Sequence, residues 1–124
     1  MTIRFSIDGQ PVVAAEGQNV LEAALTAGIQ IPHLCYDKKL SPAGNCGLCM
    51  VRVNGGEPVK ACETKVSADM VVISEGEDLN ALRREALAKL LAIHHGDCIA
   101  PCKRACPANS DCQGYAGLIA EGYF

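Results

Sequence analysis

The sequence predicts an α+β fold, a small mixed sheet carrying one helix. Three observations point to it: alternating apolar and polar residues at the N-terminus, an amphipathic stretch directly after them, and short β-branched runs separated by turn signals. A period of two marks strands with one buried face, and a period near 3.6 marks a helix of the same kind. Hydrophobic residues make up 49% of the chain and charged residues 20%, a balance that lets it close a core. Trp is absent, so Val, Ile, Leu and Ala must build that core.

Ile3, Phe5 and Ile7 alternate with Arg4, Ser6 and Asp8, a half-buried strand. Asp8-Gly9 is a two-residue turn signal, because Gly tolerates the positive φ that such a turn demands. Gln10 to Ala14 then returns as a second strand, which Glu16-Gly17 breaks. Asn19, with Glu22 three residues on, forms a variant of the capping box. Leu21, Ala24 and Leu25 make the inner face of the helix it starts, and Gly28 stops it. Ile31-Pro32 reads as extended chain leading into a long loop. Met50 to Val53 and Pro58 to Ala61 form a second hairpin around Asn54-Gly55, and Met70 to Ile73 is a further short strand. Hairpin, helix, long loop, hairpin and strand suit a roll of the β-grasp type.

The composition shifts at residues 74–78, which divides the chain into a domain at 1–76 and a helical segment at 77–124. From Leu79 onward, Leu82, Ala86, Leu90 and Ile93 recur at helical spacing, with Leu87 and Leu91 widening the stripe. Arg83, Arg84, Glu85 and Lys89 lie mostly off it, so one amphipathic helix is expected from about Asp78 to His94. Gln113 to Phe124 begins another helix without a persuasive stop, and the chain reads as cut from something longer.

Net charge is −3 with both signs mixed, which gives no surface for nucleic acid or anionic lipid. The pairs Lys38-Lys39, Arg83-Arg84 and Lys103-Arg104 read as solvated faces. No apolar run approaches the roughly 20 residues of a membrane span. The N-terminus alternates and carries Asp8 early, unlike a signal peptide, so a cytoplasmic location is expected. In that compartment eight cysteines are not expected to be disulfides. Neither G-x-G-x-x-G nor G-x-x-x-x-G-K occurs, so no nucleotide site is encoded. No Ser/His/Asp set or paired carboxylates stand out as catalytic.

Cys35, Cys46, Cys49 and Cys62 follow C-x10-C-x2-C-x12-C, the first three inside a loop rich in Gly, Pro, Ser and Asn. Such a loop has no core to fix its shape, so a bound group must do so. Four thiolates, two to each iron, are what a [2Fe–2S] cluster requires, together with N–H groups aimed at the sulfurs. Gly44 and Gly47 flank Cys46 and let the backbone come close to a cluster. Structural zinc is the competing reading, although it normally takes two short-spaced pairs, and Cys35 and Cys62 have no close partners in sequence.

Residues 31–36, residues 44–49 and Ala61-Cys62 resemble the N-terminal [2Fe–2S] domain of the large complex I subunit, shared with iron-only hydrogenases and formate dehydrogenases. The resemblance covers about residues 1–76. It implies a β-grasp ferredoxin fold, with Cys35 and Cys46 on one iron and Cys49 and Cys62 on the other. The first interval is longer than in the plant-type C-x4-C-x2-C pattern, which points to this subgroup.

Cys98, Cys102, Cys106 and Cys112 form a second set, C-x3-C-x3-C-x5-C, with Pro107 after the third. Cys-Pro closing a compact run is a feature of [4Fe–4S] sites. The fourth ligand is open between Cys112, His95 and His94, the histidines being equally readable as residues of a helix end. The helix leading to His94-x3-Cys98 resembles the region before the His-ligated cluster of the complex I subunit, from whose C-x2-C-x5-C continuation this chain departs. Residues 100–108, Gln113-Gly-Tyr and residues 118–122 look instead like the iron–sulfur region of the glutamate synthase small subunit and dihydropyrimidine dehydrogenase, where a cysteine often stands at the position of His95.

Three functions are expected in turn. The first is an electron-transfer module passing single electrons between a [2Fe–2S] cluster, a [4Fe–4S] cluster and a flavin or partner redox enzyme. Its potential is expected to be low, on the order of −400 mV as in plant-type ferredoxins. The second is the N-terminal part of a larger FAD/NAD(P)H-dependent oxidoreductase. The third is a zinc-binding interaction module.

Overall fold

The computed structural model describes residues 1–94 and 99–123. Strand β1 (Thr2–Ile7) and strand β2 (Gln10–Ala15) form the expected hairpin, paired from Thr2↔Ala15 to Ile7↔Gln10. Its two turn residues take φ values of 50° at Asp8 and 77° at Gly9, the conformation the Asp-Gly signal calls for. Helix α1 (Val20–Thr26) begins with a complete capping box, Asn19 accepting from the Glu22 amide at 2.8 Å and the Glu22 carboxylate accepting from the Asn19 amide at 3.3 Å. Gly28, at φ 77°, follows the cap residue Ala27.

Strands β3 (Met50–Val53) and β4 (Pro58–Lys60) make the second hairpin, and β5 (Val71–Ile73) completes the sheet. The order is β2-β1-β5-β3-β4. The last strand thus lies in the middle, parallel to β1 and antiparallel to β3. This is the α+β, β-grasp ferredoxin-like arrangement. Phe5, Ile7, Val12, Ala14, Val51 and Val72 project from the sheet into one core with Val20, Leu21, Ala23 and Ala24 of the helix. Cys49 and Cys62 belong to that same buried cluster.

Helix α2 (Glu77–Ile93) forms as expected but turns a different face inward. Leu79 and Arg83 are its buried residues, while Leu82, Leu87, Leu91 and Ile93 are exposed. The apolar stripe read from the sequence is therefore packed only in part, through Leu79, Ala86 and Leu90, and Arg83 is not a solvated side chain. The contacting row runs Leu79, Arg83, Ala86, Leu90, a spacing of four, three and four that keeps to one side of a helix. The chain groups into two compact units, residues 1–93 and 94–124. Within the second, α3 (Pro101–Ala105) opens on a proline whose missing N–H is no loss at a helix start. Helix α4 (Cys112–Ala120) is capped by the Asp111 carboxylate, which accepts from the Gly114 amide at 3.4 Å.

Candidate metal centre

The sheet places two of the first four cysteines before the loop contributes anything. The Ala61 amide donates to the Cys49 carbonyl at 2.8 Å, continuing the β3–β4 ladder. Cys49 and Cys62 therefore sit side by side at the end of this hairpin, 1% and 3% exposed. The Leu21 amide donates to the Ala61 carbonyl at 3.2 Å, tying the same corner to helix α1.

The other two come from the loop, which is held from three sides. The Tyr36 hydroxyl donates to the Glu22 carboxylate on α1 at 3.0 Å, next to Cys35. Burial and that carboxylate together raise the Tyr36 pKa, keeping its proton in the bond. The Lys60 ammonium donates to the Gly44 carbonyl at 2.5 Å. Arg83 holds the far side: its Nε donates to the Leu48 carbonyl at 3.2 Å, and its Nη2 to the Met50 carbonyl at 2.7 Å and the Ser74 carbonyl at 2.6 Å. Gly44 and Gly47 both take positive φ, 66° and 70°. A side chain at Gly47 would come within 3.2 Å of the Ala86 methyl, so α2 lies directly on the loop.

The four thiols interact as two neighbouring pairs, Cys46 with Cys35 and Cys62 with Cys49. Burial pushes the Cys46 thiol up, but the amides of Leu48, Cys35 and Leu34 and the Cys35 thiol all donate to its sulfur, and its pKa ends below the usual thiol range. Burial pushes the Cys62 thiol up to about 12, helped by its hydrogen bond to Cys49 and by the charges of Cys49 and Cys35. Cys35 thus neighbours both pairs. Cys35 is half-buried and the other three are buried. Two pairs of thiols at adjoining positions, with backbone N–H groups already aimed at one sulfur, are the donor set a bridged pair of irons takes. The donor chemistry fits a [2Fe–2S] cluster, which takes two thiols to each iron, while among the described residues no three His, Cys, Asp or Glu side chains gather to hold a single metal ion.

Similarity to known proteins agrees with this geometry. A sequence model described as "2Fe-2S iron-sulfur cluster binding domain" matches residues 1–77. The chain belongs to this family. It is 34% identical over 112 residues to the alpha subunit of the NADPH-Fe(3+) oxidoreductase of Geobacter sulfurreducens, covering 90% of this chain and 13% of that protein. It is 37% identical over 97 residues to an NADH-quinone oxidoreductase subunit of Rickettsia typhi, covering 77% of this chain and 14% of that one. The chain thus spans only about one seventh of the length of these curated relatives. Among solved structures, a chain of an NAD+-reducing [NiFe]-hydrogenase in its H2-reduced state superposes with a TM-score of 0.72 at 34% identity, covering 98% of this chain and 50% of that one.

In the second unit, Cys98 and His95 lie outside the described residues. Cys102 is exposed on α3, Cys106 caps that helix, and Cys112 is the first residue of α4. The amide and hydroxyl of Ser110 and the amide of Ala108 hold the Cys106 pKa below the usual thiol range, and the Asn109 amide donates to the Cys106 carbonyl at 3.0 Å. Cys112 hydrogen-bonds the Tyr115 hydroxyl, and its charge with that of Cys102 raises the tyrosine pKa. Three of the four predicted thiols thus lie on α3, at its end and at the start of α4, and they form no three-ligand group. His94 is exposed. No described helix is long and apolar enough to cross a membrane.

The sequence reading missed Arg83, Tyr36 and Lys60 as parts of the centre. For Arg83 a signal existed, since it falls on one helical face with Leu79, Ala86 and Leu90. Nothing local marks the other two, whose partners lie 14 and 16 residues away.

Proposed function

We propose that the chain is an electron-transfer module within a larger oxidoreductase, its first centre a [2Fe–2S] cluster held by Cys35, Cys46, Cys49 and Cys62. The burial of Cys46, Cys49 and Cys62 within a stretch that matches a 2Fe-2S cluster binding domain carries this reading. A bound cluster supplies a one-electron couple. The chain's own residues bind it, donate N–H groups from Leu34, Cys35 and Leu48 to the Cys46 sulfur, and bury three of the four thiols against the sheet. Hydrogen bonds to the sulfurs and limited solvent access are the levers that set such a potential. The domain proper is residues 1–76, and the segment 77–124 follows it.

That segment takes a second, [4Fe–4S] cluster on Cys98, Cys102, Cys106 and Cys112, with His95 or His94 as the other candidates for the fourth corner. The N–H groups gathered on Cys106 support a thiolate ligand there. A match of 112 residues to the Geobacter protein leaves out at most twelve of the 124, so it extends well into this segment. The Cys106-Pro107 and Gln113-Gly-Tyr motifs favour a continuation like that of the glutamate synthase small subunit, toward a flavin and a nicotinamide site in the same enzyme. Electrons pass between that flavin or a partner redox protein and the two centres.

Anaerobic purification with iron and sulfide quantitation, followed by EPR of the reduced protein, tests both centres. A [2Fe–2S] signal and a separate fast-relaxing [4Fe–4S] signal are expected. Zinc without sulfide overturns the reading.

A further inference from the structure

We infer that Arg83 is the buried counter-charge of the first centre and the clamp that positions Cys49; this rests on the [2Fe–2S] reading above. Arg83 is 8% exposed. Its donors reach the carbonyls of Leu48 at 3.2 Å and Met50 at 2.7 Å, the two residues on either side of Cys49. A third carbonyl, of Ser74, lies at 2.6 Å, and Asn80 Oδ1 at 3.3 Å. One planar group therefore grips the backbone before and after a ligand and fastens it to β5 and α2. Only a guanidinium presents enough donors in a fixed fork to do this, and lysine offers a single rotating point.

All four of its acceptors are neutral. Among the described residues no carboxylate lies within ion-pair distance of Arg83, whereas Arg52, Lys60, Arg84, Lys89 and Lys103 each have one. A guanidinium does not lose its proton at any ordinary pH. A buried charge left without an opposite charge is costly, so the fold must gain from something negative nearby. Four thiolates around two irons carry net negative charge, and reduction adds one more. A fixed cation in a poorly solvated site favours the more negative state. Two other cations lie nearby and are screened by water and a partner: Lys60 is paired with Glu63 at 3.7 Å and 37% exposed, and Lys89, beside Cys46, is paired with Glu85 at 2.7 Å and 74% exposed.

The test compares the wild-type 124-residue chain with Arg83→Gln, Arg83→Lys and Leu79→Ala, all reconstituted anaerobically, by EPR-monitored redox titration and by thermal unfolding of the iron-free proteins. Leu79 packs on the same helix one turn earlier and touches no ligand neighbour through hydrogen bonds. At a fixed poise, Arg83→Gln is expected to lower the ratio of reduced to oxidised cluster about tenfold, which is about 59 mV for a one-electron couple. Arg83→Lys keeps the charge without the fork; it is expected to hold the ratio near wild type while broadening the EPR signal and lowering the melting temperature of the iron-free protein. Leu79→Ala is expected to lower the melting temperature with the potential unmoved. An unmoved potential in Arg83→Gln, or an equal shift in Leu79→Ala, overturns the proposal. If Arg83→Gln takes up no iron, Arg83→Lys decides: a loaded protein near the wild-type potential supports the counter-charge, and an unloaded one overturns it. A wild-type protein without the [2Fe–2S] signal overturns the cluster reading itself, whereas a loaded wild type with an unmoved Arg83→Gln overturns the counter-charge alone.

Discussion

The two sets of cysteines occupy opposite kinds of surroundings. Cys46, Cys49 and Cys62 are buried at the end of a five-stranded sheet, and two of them lie in the hydrophobic core cluster itself. Cys102, Cys106 and Cys112 ride on helices of five and nine residues, neither of which has a buried residue. Helices that short are marginal without packing or a ligand to hold them. The first set is placed by the fold itself; on the proposed reading the second unit would depend on what it binds to stay folded, as small metal-dependent units do.

The largest effects should come from the ligands. Cys46→Ser or Cys49→Ser is expected to abolish the [2Fe–2S] EPR signal while the sheet survives, as read by circular dichroism. Cys102→Ser should remove only the fast-relaxing signal. If it also removes the first, the two sites are not independent. Next comes anaerobic iron chelation followed by amide hydrogen exchange. Residues 101–120 are expected to lose nearly all protection, while β1, β5 and α1 keep theirs; equal loss in both would erase the contrast.

Core packing should matter in the first unit alone. Leu21→Ala, at a residue with no exposed surface, is expected to cost about 2–5 kcal/mol in urea titration of the iron-free protein. Leu118→Ala on α4, at a residue 53% exposed, should change stability by no more than about 0.5 kcal/mol. A smaller effect is expected from pH. Folded Cys62 keeps its proton up to about 12, while the unfolded thiol loses it around 9.0. Between those values the folded state binds more protons, so the stability present below pH 9 is lost as the pH rises toward 12. Thermal unfolding of the iron-free protein should show this decline, and Cys62→Ala should flatten it. Asn19→Ala, removing the capping-box acceptor, is expected to cost about 1 kcal/mol.

Most of the first unit was legible because its rules are local. Alternation located β1 and β2, Asp8-Gly9 and Asn54-Gly55 located the turns, and Asn19 with Glu22 located a helix start, all from neighbours within a few residues. The cysteines stood out for another reason, their spacing around a glycine-rich loop, although Cys49 and Cys62 also pack in the core. The inward face of α2 was not. Hydrophobicity picked out Leu79, Ala86 and Leu90, which do face inward, together with Leu82, Leu87 and Leu91, which do not. The helix buries an arginine in their place, because the carbonyls of Leu48 in the loop, Met50 in β3 and Ser74 after β5 needed donors. Those carbonyls lie 35, 33 and 9 residues away in sequence, and no periodicity encodes them. Helix α3 had a visible mark in Pro101, which the neighbouring cysteines overshadowed.

Directly after strand β5 comes Ser74, whose amide donates to the Asp8 carboxylate at 2.7 Å and whose carbonyl receives Arg83. The left-handed turn at Asp8 is what aims that carboxylate. A relay of three residues therefore runs from the first bend of the polypeptide to the peptide groups beside Cys49. Trimming or relocating the amino-terminal hairpin, however remote it looks on a linear map, would disturb the cradle of the sulfur atoms.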